Sequence, residues 1–193
     1  MKRWTSWLTV LVLVVSSAAI AQEAGKKKAA KHGLKSGDPL GAFYVTKCAG
    51  AESDQVPVGE NLCYRCKNGS RPQVIVFTRT TDPVVVKLAK RLDAAVRGHE
   101  DAQLRAFVCV LGESKEKAEA EAKKLAAEAG VEQIPFVVPN DVTTGPENYS
   151  LDPNAAITIV LGNENKVVAV YSVEKPEDLK IARVNRLAEK MLQ

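Results

Sequence analysis

A pair of cysteines two residues apart, Cys63 and Cys66, is the feature of this sequence best suited to chemistry. One thiolate of such a pair can attack a partner disulfide, and the other thiol can then resolve the mixed disulfide. The neighbouring Arg65, Lys67 and Arg71 bring positive charge, which favours the reactive thiolate form. We therefore predict that Cys63 and Cys66 are catalytic residues of thiol–disulfide exchange with a protein partner, and the sequence leaves open which of them attacks.

Other roles for this pair also stay open. In an exported protein the two cysteines can form a structural disulfide that closes a turn. A metal site with Cys48 as a third ligand is disfavoured, because no second Cys-x-x-Cys and no nearby histidine completes it. Haem attachment is disfavoured because Lys67 stands where a histidine is needed. We expect no metal ligand and no cofactor.

The chain contains four cysteines, and the other two are Cys48 and Cys109. Cys109 lies between two valines in an apolar run, which is typical of an inert, buried thiol. Two intervening residues keep Cys63 and Cys66 within bridging distance. The sequence thus predicts one disulfide, between Cys63 and Cys66, with Cys109 free. Cys48 follows a short strand candidate and is the main competitor for a bond to either cysteine.

The first residues have the pattern of an export signal. Lys2 and Arg3 precede a mainly apolar stretch at 8–15, and small residues at 16–21 end in Ala-Ile-Ala. We expect cleavage after Ala21 and a periplasmic or secreted protein, with an uncleaved membrane anchor as the alternative. Residues 22–37 are rich in lysine and alanine and predict a flexible linker.

Composition favours one globular domain, which we place at residues 38–193. The 193-residue chain is 46% hydrophobic and 26% charged, with a formal net charge of +4. Much of that positive charge lies in the leader and the linker. No basic face is interleaved with aromatic residues, so nucleic-acid binding is not expected. Membrane contact is expected only through the signal segment.

Apolar runs and helix signals alternate through this domain. Residues 74–77 predict a strand buried on both faces of a sheet, and 104–111 and 134–138 predict two more. Asp82-Pro83 and Ser114 begin two helices between these strands. A short strand at 40–46 precedes them, whereas a hairpin at 156–173 and a helix beginning at Pro176 follow. This order predicts an α/β fold with a mixed sheet, helices on both faces and an N-terminal hairpin extension.

Four segments, in this order and at this spacing, resemble the thioredoxin-like superfamily, and most closely its redoxin and peroxiredoxin (AhpC/TSA-like) branch. Residues 37–43 resemble the opening of redoxins, and Leu62 with the residues after it resembles the turn before the central strand. Residues 134–139 resemble the approach to the third strand, and 149–160 resemble the approach to the late hairpin. The resemblance covers residues 37–193 and implies a thioredoxin-like fold with thiol chemistry.

The sequence departs from this family at the usual active site. The family's catalytic cysteine follows the central strand, at the start of the first long helix, where free N–H groups stabilise a thiolate. Residues 78–83 contain no cysteine here. Two functions remain: an exported redox protein that uses the displaced Cys63 and Cys66, or a non-catalytic binding module. In the second, the loop 140–153 and the turn 78–82 would form the contact surface.

Overall fold

The structure of the protein is a computed structural model that describes Met1 and residues 33–193. Apart from Met1, the predicted signal peptide at 1–21 lies outside the described residues, as does the part of the predicted linker at 22–32. Residues 33–37 of that linker contact the domain: the backbone N–H groups of Gly33 and Gly37 donate to the carbonyls of Ser150 and Val167. None of the helices at 33–193 is long and apolar enough to cross a bilayer.

Seven strands and four α-helices make up the part of the chain that the structure describes. In chain order they are β1 (Val45–Ala49), β2 (Asn61–Leu62), α1 (Tyr64–Asn68), β3 (Gln73–Thr78), α2 (Pro83–Gly98), β4 (Arg105–Val110), α3 (Lys115–Ala129), β5 (Phe136–Pro139), β6 (Ile157–Asn163), β7 (Lys166–Val173) and α4 (Ile181–Met191).

The strands form one mixed sheet in the order β2-β1-β5-β4-β3-β6-β7. β3 is parallel to β4 and antiparallel to β6, with Val76 opposite Val108 on one side and Ile159 on the other. The strand predicted at 74–77 therefore lies inside the sheet. β1 and β2 form the predicted N-terminal hairpin, in which Val45 pairs with Leu62.

Two apolar clusters cover the two faces of the sheet. Val74 and Val76 of β3 point into a cluster with α2, α3 and α4, which we call the helical face. Ile75 and Phe77 point into a cluster with Leu40, Phe43, Tyr64 of α1 and Tyr149, which we call the loop face. Helices thus lie on both faces, as predicted: within residues 33–193, three long helices cover one face and the short α1 lies on the other.

The two middle helices begin where the sequence predicts. A side-chain oxygen of Asp82 accepts a hydrogen bond from the N–H of Val84 (2.8 Å), and Pro83 occupies the first turn of α2. The Ser114 hydroxyl accepts from the N–H of Lys117 (3.3 Å) at the start of α3. These caps satisfy N–H groups that have no partner inside a helix.

Two predicted elements begin several residues later than expected, whereas the bounds of β4 and β5 differ from the prediction by only one or two residues. The first strand was expected at 40–46, but β1 spans Val45–Ala49, because Leu40 and Phe43 bury against the loop face instead of pairing in the sheet. The last helix was expected to begin at Pro176, but residues 176–178 form a single 3₁₀ turn and α4 begins at Ile181. The Tyr171 hydroxyl accepts from the N–H of Lys180 (3.1 Å) and donates to the Asp178 carbonyl (3.2 Å), which holds that turn apart from the helix.

Candidate functional site

Cys63 and Cys66 form a disulfide, with their Cα atoms 5.2 Å apart. Cys48 and Cys109 are free and buried. The predicted cysteine pairing is thereby confirmed. The two bonded sulfurs lie in different surroundings, because the Cys63 residue is only 6% exposed whereas Cys66 is exposed to solvent.

The short helix α1 sets this geometry. Cys63 is its N-cap residue, and Sγ of Cys63 accepts a hydrogen bond from the N–H of Cys66 (3.0 Å). Gly69 ends the helix at a positive φ of 64°, which glycine adopts without a steric penalty, and its N–H donates to the Cys66 carbonyl (3.0 Å). One helical turn closed at both ends therefore holds the two sulfurs within bonding distance.

The two residues between the cysteines fasten α1 to the rest of the domain. Tyr64 is buried on the loop face, where its ring centroid lies 5.7 Å from that of Phe107. Arg65 reaches the β6–β7 turn, where Nη2 donates to Oδ1 of Asn165 (2.7 Å). Its Nε is buried and has no hydrogen-bond partner among the described residues. Arg65 thus lies between the two cysteines in the sequence, and its guanidinium ties α1 to the β6–β7 turn.

A buried ion pair beside α1 was not anticipated from the sequence. Lys47 of β1 is 2% exposed, and its ammonium donates to the carboxylate of Asp54 (2.7 Å) and to the carbonyls of Ala51 (2.9 Å) and Val56 (2.8 Å). The Tyr64 hydroxyl donates to the other oxygen of Asp54. Burial and this hydrogen bond raise the pKa of Tyr64. The network connects the first residue of α1 to the β1–β2 hairpin.

Cys48 and Cys109 take no part in this site. Cys48 belongs to the helical face and Cys109 to the loop face, so the sheet separates them. Burial raises the pKa of the Cys48 thiol to about 11 and also raises that of Cys109, so both are protonated at neutral pH. Among residues 33–193, no group of three or more histidine, cysteine or acidic side chains is placed to hold a metal ion.

In the turn after the central strand, where the family has its catalytic cysteine, this chain has an arginine that contacts a loop. Arg79 follows β3, and its guanidinium donates to the backbone carbonyls of Thr143 and Thr144 in the loop 140–153. The Arg79 N–H donates to the Ala156 carbonyl (2.8 Å). Burial lowers the pKa of Arg79. The turn that carries a thiol in related folds is here tied to the loop across from it.

The disulfide and the Arg79 turn lie at opposite ends of β3. Cys63 and Cys66 precede the amino end of the strand, whereas Arg79 follows its carboxyl end. A strand of six residues spans about 20 Å. The predicted displacement of the Cys-x-x-Cys pair along the chain is therefore a displacement in space.

Comparison with known proteins was informative only at the level of structure. No protein-family model matches the sequence, and no curated protein is significantly similar to it. The thioredoxin domain of a thiol-disulfide oxidoreductase from Bacteroides vulgatus superposes with a TM-score of 0.60 and 15% identity, over 83% of this chain and 99% of that one. AhpC from Mycobacterium tuberculosis superposes with a TM-score of 0.58 and 13% identity, over 83% and 99% of the two chains.

A third solved structure gives the same result. Reduced 2-Cys peroxiredoxin from Plasmodium vivax superposes with a TM-score of 0.56 and 14% identity, over 82% of this chain and 96% of that one. Likeness at this level of identity establishes the fold and not the activity. With its mixed sheet and the β3-α2-β4 unit at its centre, the domain has the thioredoxin-like fold of the redoxins and peroxiredoxins.

Proposed function

We propose that this chain is a thiol–disulfide redox protein in which Cys63 and Cys66 form the reactive couple. The observation that carries the proposal is the disulfide itself, which joins one exposed and one buried cysteine across a single helical turn. Redox couples need one sulfur that a partner can reach and a second that is held close to it. The Cys63–Cys66 arrangement satisfies both conditions.

In the proposed mechanism Cys66 is the sulfur that exchanges with the partner. A partner thiolate attacks Sγ of Cys66, the exposed residue of the pair, the Cys63–Cys66 bond breaks, and Cys63 leaves as a thiolate. The N–H of Cys66 already points at Sγ of Cys63 and stabilises that negative charge. The guanidinium of Arg65 adds positive charge from the same turn.

A second thiol completes the exchange. It attacks the partner sulfur of the mixed disulfide, releases Cys66 as a thiolate and leaves with the partner as a new disulfide. Two partner thiols are oxidised while the protein disulfide is reduced, and the reverse sequence oxidises the protein pair. The partner is a protein thiol or disulfide, and the N-terminal signal pattern supports an exchange outside the cytosol, in the periplasm or the secreted fraction.

The reduction potential of the pair tests this proposal. The purified protein is equilibrated in a series of glutathione redox buffers, and alkylation followed by intact mass spectrometry gives the reduced fraction. We expect a potential above about −300 mV, since disulfides below that value resist reduction by glutathione. A lower value would identify an inert structural bond and overturn the redox proposal. The Cys63→Ser/Cys66→Ser variant is the control for signal from the other two cysteines.

A second candidate function, a non-catalytic binding module, is favoured by one observation. Arg79 joins the turn 78–82 to the loop 140–153, so the two segments expected to form a contact surface lie against each other. In this candidate the disulfide only stabilises α1. Replacing both Cys63 and Cys66 by serine would lower the free energy of unfolding and leave partner binding intact. Loss of binding with unchanged stability would exclude this candidate.

A further inference from the structure

A cationic cavity lies at the amino ends of the parallel strands, on the same end of the sheet as α1. It has a volume of about 420 Å³ and is bounded by α1, by the 3₁₀ turn after β1, by Val96 of α2, by the start of β4 and by residues that precede β3 and β5. Three of its lining side chains are positively charged: Lys67, Arg71 and Arg105. Lys67 and Arg71 lie close to the Cys-x-x-Cys motif in the sequence, whereas Arg105 comes from β4, so the thiol chemistry alone does not account for all three charges.

No acidic side chain in the described part of the chain neutralises these three cations. Lys67, Arg71 and Arg105 form no salt bridge within residues 33–193. Among the described residues, Asp54 is the only acidic one that lines the cavity. Its carboxylate already accepts from Lys47 and from the Tyr64 hydroxyl, so its charge is matched by a buried ammonium. The cavity therefore keeps a net positive charge.

Both guanidiniums are oriented by contacts that use only part of their donor capacity. Nε of Arg71 donates to Oε1 of Gln103 (3.0 Å), and Nη1 of Arg105 donates to the carbonyl of Leu104 (3.1 Å). A guanidinium carries five N–H donors in a planar fork, which matches the oxygens of a carboxylate or a phosphate. Each arginine has donors left after these contacts. The amide of Gln133 adds a neutral polar group to the lining.

We propose that this cavity binds a small molecule with two or more negative charges, carried by phosphate or carboxylate groups. Three cations around one cavity match such a polyanion, and the volume lies within the range of ligand pockets, roughly 300–1,000 Å³. Arg71 and Arg105 hold the charged groups of the ligand, and Lys67 adds a third charge from α1. The proposal does not rest on the redox function, because none of the residues that line the cavity is a cysteine.

Titration calorimetry with two probes tests the proposal and separates the two kinds of anion. Inorganic pyrophosphate represents phosphates, and citrate represents carboxylates. We expect one or both to bind the oxidised full-length protein, more weakly as salt screens the charges. Tighter binding of pyrophosphate would assign a phosphate ligand, and tighter binding of citrate a carboxylate ligand. If neither probe binds at millimolar concentration in low salt, the proposal is wrong.

A matched pair of variants shows whether binding occurs in the cavity. The first combines Lys67→Gln, Arg71→Gln and Arg105→Gln. The control removes the same charges from exposed residues outside the cavity: Lys87→Gln, Arg91→Gln and Arg186→Gln. We expect affinity to fall about tenfold or more in the cavity variant, because charge-assisted hydrogen bonds are lost, and to stay within about twofold in the control. Equal losses in both would mean unspecific attraction and would overturn the proposal.

An NMR titration of the unmutated protein keeps the test decisive if the cavity variant fails to fold. Pyrophosphate or citrate should shift the backbone amide signals of Asn68 and Gln133, which line the cavity, at substoichiometric to saturating concentrations. The amide of Gly145, in the loop tied to Arg79, should stay unchanged. Shifts spread over the whole surface, or confined to residues away from the cavity, would contradict the assignment.

Discussion

The backbone N–H of Cys66 donates a hydrogen bond to Sγ of Cys63 at 3.0 Å, within the disulfide that joins the two residues. This contact makes the two sulfurs unequal. Cys63 is buried and has a donor ready to stabilise a thiolate, whereas Cys66 is exposed. The exposed sulfur is therefore the one that a partner can reach, and the buried sulfur is the better leaving group.

Single cysteine variants should accordingly react at different rates. Cys63→Ser leaves Cys66 exposed and should form a mixed disulfide with oxidised glutathione about tenfold or more faster than Cys66→Ser, which leaves only the buried Cys63. Intact mass spectrometry of samples quenched over time measures both rates. The double serine variant is the control, and it should form no adduct because Cys48 and Cys109 are buried. Equal rates, or a faster Cys66→Ser, would refute the assigned roles.

Arg79→Gln should loosen the loop 140–153. The guanidinium contacts to the carbonyls of Thr143 and Thr144 are lost, and the free energy of unfolding should fall by about 1 kcal/mol, as is usual for exposed hydrogen bonds. Hydrogen–deuterium exchange should become faster in this loop and stay unchanged in β4. Arg91→Gln, on the exposed side of α2, is the matched control. Unchanged exchange in the loop would show that the arginine contact does not hold it.

The buried pair of Lys47 and Asp54 should be costly to break from one side. Asp54→Asn leaves the Lys47 ammonium, at 2% exposure, without a counter-charge, and the free energy of unfolding should fall by about 3 kcal/mol. Adding Lys47→Met should recover part of that loss, because no buried charge then remains. Urea unfolding of Asp54→Asn, of Lys47→Met and of the double variant gives the coupling free energy between the two side chains. Asp101→Asn, at an exposed position, is the control. A loss below about 1 kcal/mol for Asp54→Asn would contradict the buried pair.

Alkaline pH should destabilise the domain through its buried thiols. Burial raises the pKa of Cys48 from 9.0 to about 11, so between these values the unfolded chain releases a proton that the folded chain keeps. The contribution of Cys48 is thus complete below pH 9 and is lost as pH rises toward 11, with a slope of about 1.4 kcal/mol per pH unit. Cys109, whose pKa burial also raises, adds to the effect.

Urea unfolding between about pH 8 and about pH 10.5 measures this slope. All samples carry Cys63→Ser and Cys66→Ser, which prevents disulfide exchange. Adding Cys48→Ala should make the decline above pH 9 shallower, whereas Lys87→Gln, an exposed change on α2, should not. Identical slopes with and without Cys48 would mean that its thiol ionises as easily in the folded state as in the unfolded one.

Local signals in the sequence were enough to predict most of the elements. The alternation of apolar runs with helix caps at Asp82 and Ser114 predicted β3-α2-β4-α3-β5, because a cap and a 3.6-residue period act over one or two turns. Two intervening residues were enough to predict the Cys63–Cys66 bond, since their spacing alone brings the thiols within reach. The absence of a cysteine after β3 was equally plain from the sequence.

Contacts that depend on the folded path of the chain could not be read from the sequence, even where the partners lie within nine residues of each other. Lysine usually lies on the surface of a protein, and only the folded hairpin brings Asp54 and two carbonyls to the Lys47 ammonium. Leu40 and Phe43 have the spacing of a strand, yet their apolar side chains gain more by covering the loop face than by pairing in the sheet.

The cysteine motif shows most clearly which properties follow from the sequence and which depend on the tertiary structure. The sequence determined that Cys63 and Cys66 can bond and that the bond lies before the central strand. Only the tertiary structure decided that Cys66 faces solvent while Cys63 is buried, because exposure depends on what the rest of the chain lays over each sulfur. The same holds for Lys67, Arg71 and Arg105, which belong to α1, the residue run before β3 and the start of β4. Parallel pairing of the strands gathers them at one end of the sheet, and a pairing over more than thirty residues leaves no local mark in the sequence.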